Sequence, residues 1–168
     1  MILRRIAPDD WAAFRAIRLE MLTAAPEAFA SRAEDWAQKT EPDIRRWLTD
    51  IHMIGAWDGD DLIACAGFFP QPHARMAHRA NVIAVYTRPA HRGAGLSGHL
   101  IGAVAQAAMA RGIDQLELQV LAGNAPAIAS YRKAGFVVAG TIPRALRIDG
   151  VDHDDHLMVR DLRADAGA

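Results

Sequence analysis

One junction in the sequence restricts the architecture more than any other. A strand-like run, Asn81-Val82-Ile83-Ala84-Val85-Tyr86-Thr87, leads into His91-Arg92-Gly93-Ala94-Gly95-Leu96-Ser97-Gly98, and a helical pattern follows at once. A glycine-rich turn between a strand end and a helix start leaves several N–H groups unpaired, at the positive end of the helix dipole. Such a turn suits an anion, typically phosphate. Gly93 and Gly95 can take positive φ and admit a ligand where a Cβ would obstruct it. Arg92 adds a fixed charge with a planar fork of donors. Spacing argues against two nucleotide-binding alternatives. A Walker-type loop needs a terminal Gly-Lys-Ser/Thr, and no lysine lies near. The dinucleotide fingerprint needs three glycines at another spacing and an acid ending a second parallel strand, which Asp114 does not do.

The rest of the chain supports a folded domain around this junction. Its 168 residues are 51% hydrophobic, enough for one domain with a substantial core. A net charge of −1 and a pI near 6.6 imply no broad basic field, which argues against nucleic acid as the main partner. No apolar run reaches the ~18 residues a membrane span needs, and Met1-Ile2-Leu3-Arg4-Arg5 does not open a signal peptide. A soluble cytoplasmic protein is the expectation. The single cysteine, Cys65, lies in the apolar run Leu62–Phe68 and reads as a small buried hydrophobe.

Taken in order, Ile2–Ile6 reads as a strand, and Pro8-Asp9-Asp10 opens a helix carrying Trp11, Phe14, Ile17, Met21 and Leu22 at helical spacing. Residues 27–40 have little pattern beyond the anchors Phe29 and Trp36. Glu41-Pro42-Asp43 starts a second helix. His52–Trp57 and Leu62–Phe69 form an antiparallel hairpin around a four-residue turn, Asp58-Gly59-Asp60-Asp61. After the glycine turn, Leu96, Leu100, Ile101, Val104, Ala108 and Met109 line one helix face. Leu116, Leu118 and Val120 then alternate as a strand parallel to the one before the turn. Asn124-Ala125-Pro126 caps a further helix running to Gly135. Phe136–Ile142, extending to Ile148, and a strand through Leu157-Met158-Val159 are joined at Asp149-Gly150. The order is β-α-α-β-β-β-α-β-α-β-β, a single domain over residues 1–162 with a flexible tail over 163–168.

Arg92-Gly93-Ala94-Gly95-Leu96-Ser97 resembles the Arg/Gln-x-x-Gly-x-Gly/Ala signature of the GCN5-related N-acetyltransferase superfamily, with Ser97 where Gly or Ala is usual. Val85-Tyr86-Thr87-Arg88-Pro89 resembles the family's strand end, and the run Asn124–Phe136 resembles its second cofactor motif. Further matches at Ile17–Glu20, Pro26–Phe29, Ala145-Leu146 and Asp149-Gly150 point to one bacterial branch. The resemblance implies an α+β fold, an α/β/α sandwich. Its sheet would be mixed and mostly antiparallel, with six to seven strands, a central parallel pair splayed at the cofactor cleft, and about four helices. It also implies acetyl-CoA as donor, a primary amine as acceptor and no metal. The diphosphate would rest on the N–H groups of Gly93, Ala94, Gly95, Leu96 and Ser97 beside Arg92. The pantetheine arm would pair with the backbone of Val85, Tyr86 and Thr87, near Asn124. Tyr131 carries over as the acid that protonates the departing CoA thiolate. Dimers are common in the family, so a homodimer is an open expectation.

Three points stay open on the sequence. The general base is unassigned among Glu27, His78, Glu117 and a water chain; Asn81 stands where some relatives have a glutamate and cannot serve. The cluster Asp152-His153-Asp154-Asp155-His156 could suggest a metal. In a strand, however, neighbours face opposite sides, and a solvated charged edge is the better reading. The alternative to an enzyme is a non-catalytic module that senses CoA or acyl-CoA.

Overall fold

The computed structural model describes residues 1–164. The tail expected over 163–168 therefore lies mostly outside the described residues; Arg163 itself ion-pairs with Asp161 at 2.6 Å. The strands are β1 (Ile2–Arg5), β2 (His52–Asp58), β3 (Asp61–Pro70), β4 (Arg79–Thr87), β5 (Gln115–Leu121), β6 (Val137–Ile148) and β7 (Val151–Asp161). The helices are α1 (Trp11–Ala24), α2 (Ala33–Ala37), α3 (Glu41–Asp50), α4 (Leu96–Met109) and α5 (Ala125–Lys133). The strands form one mixed sheet in the order β1-β2-β3-β4-β5-β7-β6, with β4 and β5 the parallel pair. This is the expected α+β class. The chain divides into two compact units: Met1–Phe69 with Ile83–Val104, and Pro70–Val82 with the described residues from Ala105 on.

In the first unit, three aromatic rings tie three helices together. Phe14 of α1 stacks on Trp47 of α3 at 5.1 Å, and Trp36 of α2 meets both edge-on at 5.8 and 5.4 Å. Trp36 explains why α2 exists at all. Five residues are too few to hold a helix by local hydrogen bonds, and this packing supplies what the weak sequence pattern lacked. Thr40 starts α3, its N–H and hydroxyl both bonding the Asp43 carboxylate at 3.0 and 2.6 Å. The β2–β3 hairpin is tighter than expected. Asp58 pairs with Asp61, so the loop has two residues, with Gly59 at φ 58°.

In the second unit, β5 and β6 both pair antiparallel with β7. The β6 register slips twice, between Val138 and Gly140 and between Ile142 and Leu146. At the second slip Arg144 takes φ 53°, and its N–H donates to Asp154 Oδ1 at 2.8 Å. Within Asp152–His156, Arg147 ion-pairs Asp152 at 2.6 Å and His156 Nδ1 lies 2.9 Å from the Thr141 hydroxyl, whereas Asp155 is buried and so departs from the expected solvated edge. Among the described residues no group of three or more His, Cys, Asp or Glu could hold a metal ion. No described helix is long and apolar enough to cross a membrane.

Candidate active site

The first unit carries the strand end, the glycine turn and the start of α4. β4 alternates half-buried and buried residues up to Thr87, yet inside it one position is irregular: Ala84 takes φ 53°. A left-handed alanine within a strand is strained and marks a local break in the pleat. Its carbonyl still accepts the Cys65 thiol at 3.4 Å. Cys65 is fully buried, which pushes its thiol up to about 12, so it is an inert hydrophobe as expected. Pairing of β4 with β5 covers Arg79↔Gln115, Ala80↔Leu116 and Asn81↔Glu117. Among the described residues no further β4–β5 pair follows, although β4 runs on through Val85, Tyr86 and Thr87.

The end of β4 is fixed by a cluster the sequence did not reveal. Glu20 of α1 accepts the Tyr86 hydroxyl at 3.1 Å and Arg88 Nε at 2.9 Å. Burial, and then the Glu20 contact, raise the Tyr86 phenol above its usual value. The turn follows immediately. Arg92 Nε donates back to the Thr87 carbonyl at 3.0 Å, and the guanidinium lies 5.8 Å over the Tyr86 ring. Arg92 thus closes the loop as well as lending it charge. Gly93 and Gly95 take φ 84° and 75°, where side chains are disfavoured, and a Cβ on either would meet nothing within 4 Å. The N–H groups of Gly93, Ala94, Gly95 and Leu96 have no hydrogen-bond partner among the described residues; the first bonds back to the turn are Gly98 N and His99 N to Gly95 O. Ser97 is half-buried in the first turn of α4. The geometry is an open run of donors at the head of a 14-residue helix, which can hold a multiply charged anion.

The second unit carries Asn124 and Tyr131. Asn124 caps α5, its side-chain oxygen accepting Ala127 N–H at 3.2 Å. Tyr131 is half-buried, its ring edge-on to the buried Phe136 at 5.9 Å. Its hydroxyl has no hydrogen-bond partner among the described residues, and burial pushes it up to about 12. Glu117 is buried, not solvated. Arg79 grips its carboxylate through both oxygens, and Gln115 adds a bond at 2.9 Å. The Arg79 contact holds this carboxyl below its ordinary value, which makes it a poor proton acceptor.

Comparison with known proteins joins these features to a family. The family model for the acetyltransferase (GNAT) family matches residues 11–136. Streptothricin acetyltransferase of Streptomyces lavendulae is 34% identical over 115 residues, 68% of this chain and 56% of that protein. Mycothiol acetyltransferase of Corynebacterium glutamicum is 33% identical over 94 residues, 55% of this chain and 30% of that protein. The chain thus spans about half the length of the first of these relatives and under a third of the second. Among solved structures, an acetyltransferase of GNAT family from Streptococcus pneumoniae superposes with a TM-score of 0.84 at 20% identity, covering 95% of this chain and 98% of that one. A Salmonella typhimurium protein solved with its cofactor acetyl-CoA superposes at 0.83 and 19% identity, over 96% and 94% of the two chains. These structural likenesses speak for the fold, and the family match takes in the glycine turn, Asn124 and Tyr131: the chain belongs to the acetyltransferase (GNAT) family.

Proposed function

We propose that this chain is a single-domain cytoplasmic enzyme that moves the acetyl group of acetyl-CoA to a primary amine. The observation that carries the reading is the open run of N–H groups from Gly93 to Leu96, reached through a β4 that breaks its pleat at Ala84. Family membership, and relatives named as acetyltransferases, support it. In this reading the diphosphate sits on the N–H groups of residues 93–97 beside Arg92. The pantetheine arm pairs with the backbone of Val85, Tyr86 and Thr87 as an added strand would, with Asn124 on the same cofactor. A β4 N–H polarises the acetyl carbonyl as it becomes an oxyanion. The amine, having lost a proton to water, attacks the carbonyl carbon. A C–N bond forms, the C–S bond breaks, the Tyr131 phenol gives its proton to the leaving sulfur, and the attacking nitrogen loses its second proton to water, from which the phenol is reprotonated. A phenol held at about 12 stays protonated at neutral pH, as that role requires.

The test is CoA thiol release across a panel of primary amines, run beside a titration of CoA binding. Release with at least one amine, together with saturable CoA binding, is expected. Binding without release from any amine would instead make the chain a sensor of CoA or acyl-CoA. Absence of CoA binding would remove both readings.

A further inference from the structure

One charged side chain in the first unit is buried without a counter-charge. Phe14, Ile17 and Met21 form the inward face of α1, and Arg18 falls on that same face by spacing. It is only 6% exposed. Among the described residues it forms no ion pair. Glu20, two residues on, is engaged instead by Tyr86 and Arg88 at 3.1 and 2.9 Å, and Glu34 and Asp35 pair with the exposed Arg32 at 4.0 and 3.3 Å. Arg18 donates from Nη1 to the Met21 sulfur at 3.3 Å, a weak acceptor, and from Nη2 to the Ser31 hydroxyl at 3.0 Å. Its buried Nε has no partner. Trp36 and Phe29 lie against the guanidinium, 4.8 and 5.8 Å from their ring centroids.

A purely structural staple accounts for the rings and for Ser31. It does not account for a full charge with an orphaned donor, which is costly to bury. Rings interact with the faces of a guanidinium, whereas a carboxylate binds in the plane, through the N–H edge. The edge that holds Nε lacks such a partner. Phe29 and Ser31, which touch the group, are themselves half-buried, so it sits just beneath the surface. Burial lowers the guanidinium to about 10, and it remains cationic at neutral pH.

We propose that Arg18 is a recognition group for an anionic acceptor: the amine that receives the acetyl group also carries a carboxylate, which docks on the Nε edge of Arg18 beside Ser31. This rests on the acetyltransferase reading for its place in catalysis, while the anion site is measurable without turnover. The probes are free α-amino acids and their amides, leucine with leucinamide and methionine with methioninamide, which match in size and differ in the carboxylate. Wild-type kcat/KM should favour the acid over its amide at least tenfold, the scale of one charge-assisted hydrogen bond. Arg18→Gln should remove that preference by weakening the acid and sparing the amide, and Arg18→Lys should restore part of it. Equal rates for acid and amide, or a preference that survives Arg18→Gln, would overturn the proposal. The wild-type melting temperature with CoA present supplies a second readout, independent of whether the variants fold or any amine turns over. The acid should raise it more than the amide at equal ionic strength; equal shifts, or none, would overturn the anion site. Thiol release tests the enzyme reading separately.

Discussion

At the scale of single residues, Tyr131 makes the sharpest claim. Its hydroxyl is unengaged among the described residues and is held at about 12 by burial. Tyr131→Phe removes one proton and leaves the ring packing on Phe136 intact. We expect kcat to fall about 10²-fold, within the range for a general acid, with CoA affinity unchanged in a binding titration. Equal turnover would exclude the role. The same group sets a pH expectation. Raised above its ordinary value of 10, the phenol stays protonated until pH passes 10 and approaches 12. The rate with a primary amine should therefore climb with pH as the amine loses its proton, with no descending limb from Tyr131 below about pH 10. A wild-type profile that falls between pH 8 and 9, with the fall abolished in Tyr131→Phe, would contradict this. Cys65 offers a simpler check: fully buried and held at about 12, it should ignore a disulfide reagent in the native protein and react as one thiol per chain in denaturant. Motif residues such as Gly93, Asn124 and Tyr131 were readable because backbone freedom, capping and a fixed spacing leave marks in sequence. Arg18 also left a mark, since positions 14, 17, 18 and 21 share one helix face, but the sequence places it only within the matched run Ile17–Glu20 and does not show that it is buried. Glu20 stands in the matched run Ile17–Glu20, but its partners were not readable: Tyr86 and Arg88 lie far along the chain, and one sequence does not encode that meeting locally.

At the scale of elements, β4 holds the most information the sequence could not give. Its alternation announced a strand, and Gly93 and Gly95 announced the tight turn after it, but nothing in Asn81–Thr87 marks Ala84 as left-handed. Alanine there costs roughly 1–2 kcal/mol, a strain set by tertiary packing and not by local preference. A β-branched side chain tolerates that φ less well. Ala84→Val should destabilise by about 2 kcal/mol or more in urea unfolding, whereas Ala84→Gly should stay within about 1 kcal/mol of wild type. Loss of equal size in both would mean the conformation is not what matters. α2 illustrates the opposite limit. Five residues carry too little periodicity to be read, and only the Trp36 contact with Phe14 and Trp47 defines the helix. The pairing of β4 with β5 gives a pH test. Glu117 is held low chiefly by its bond to Arg79, so its stabilisation is complete above the unfolded value near 4.5 and is lost as pH falls through the lower folded value. Wild type should lose stability below about pH 4.5, and Glu117→Gln should lose less over the same range. A parallel decline in both would show that the acid sensitivity lies elsewhere.

At the scale of the whole molecule, the question is whether two compact units mean two unfolding transitions. The boundaries argue against it. They fall between Val82 and Ile83, inside β4, and between Val104 and Ala105, inside α4. A strand or helix cut at mid-length leaves unpaired backbone groups on both sides, which is costly for either part to bear alone. Linkers between independent domains are instead exposed and poor in contacts. We therefore expect one cooperative transition. The sequence supplies a clean way to test it, because all four tryptophans, Trp11, Trp36, Trp47 and Trp57, lie in the first unit. Tryptophan fluorescence reports that unit alone, while hydrogen exchange at the amides of β5, β6 and β7 reports the second. Both should give the same unfolding free energy. CoA at a hundred times its dissociation constant should raise both by the same ~2.7 kcal/mol, although the glycine turn belongs to the first unit. If CoA protected the tryptophans and left β5–β7 exchange unchanged, the two units would be independent, and a single acetyltransferase domain over residues 1–162 would be the wrong description.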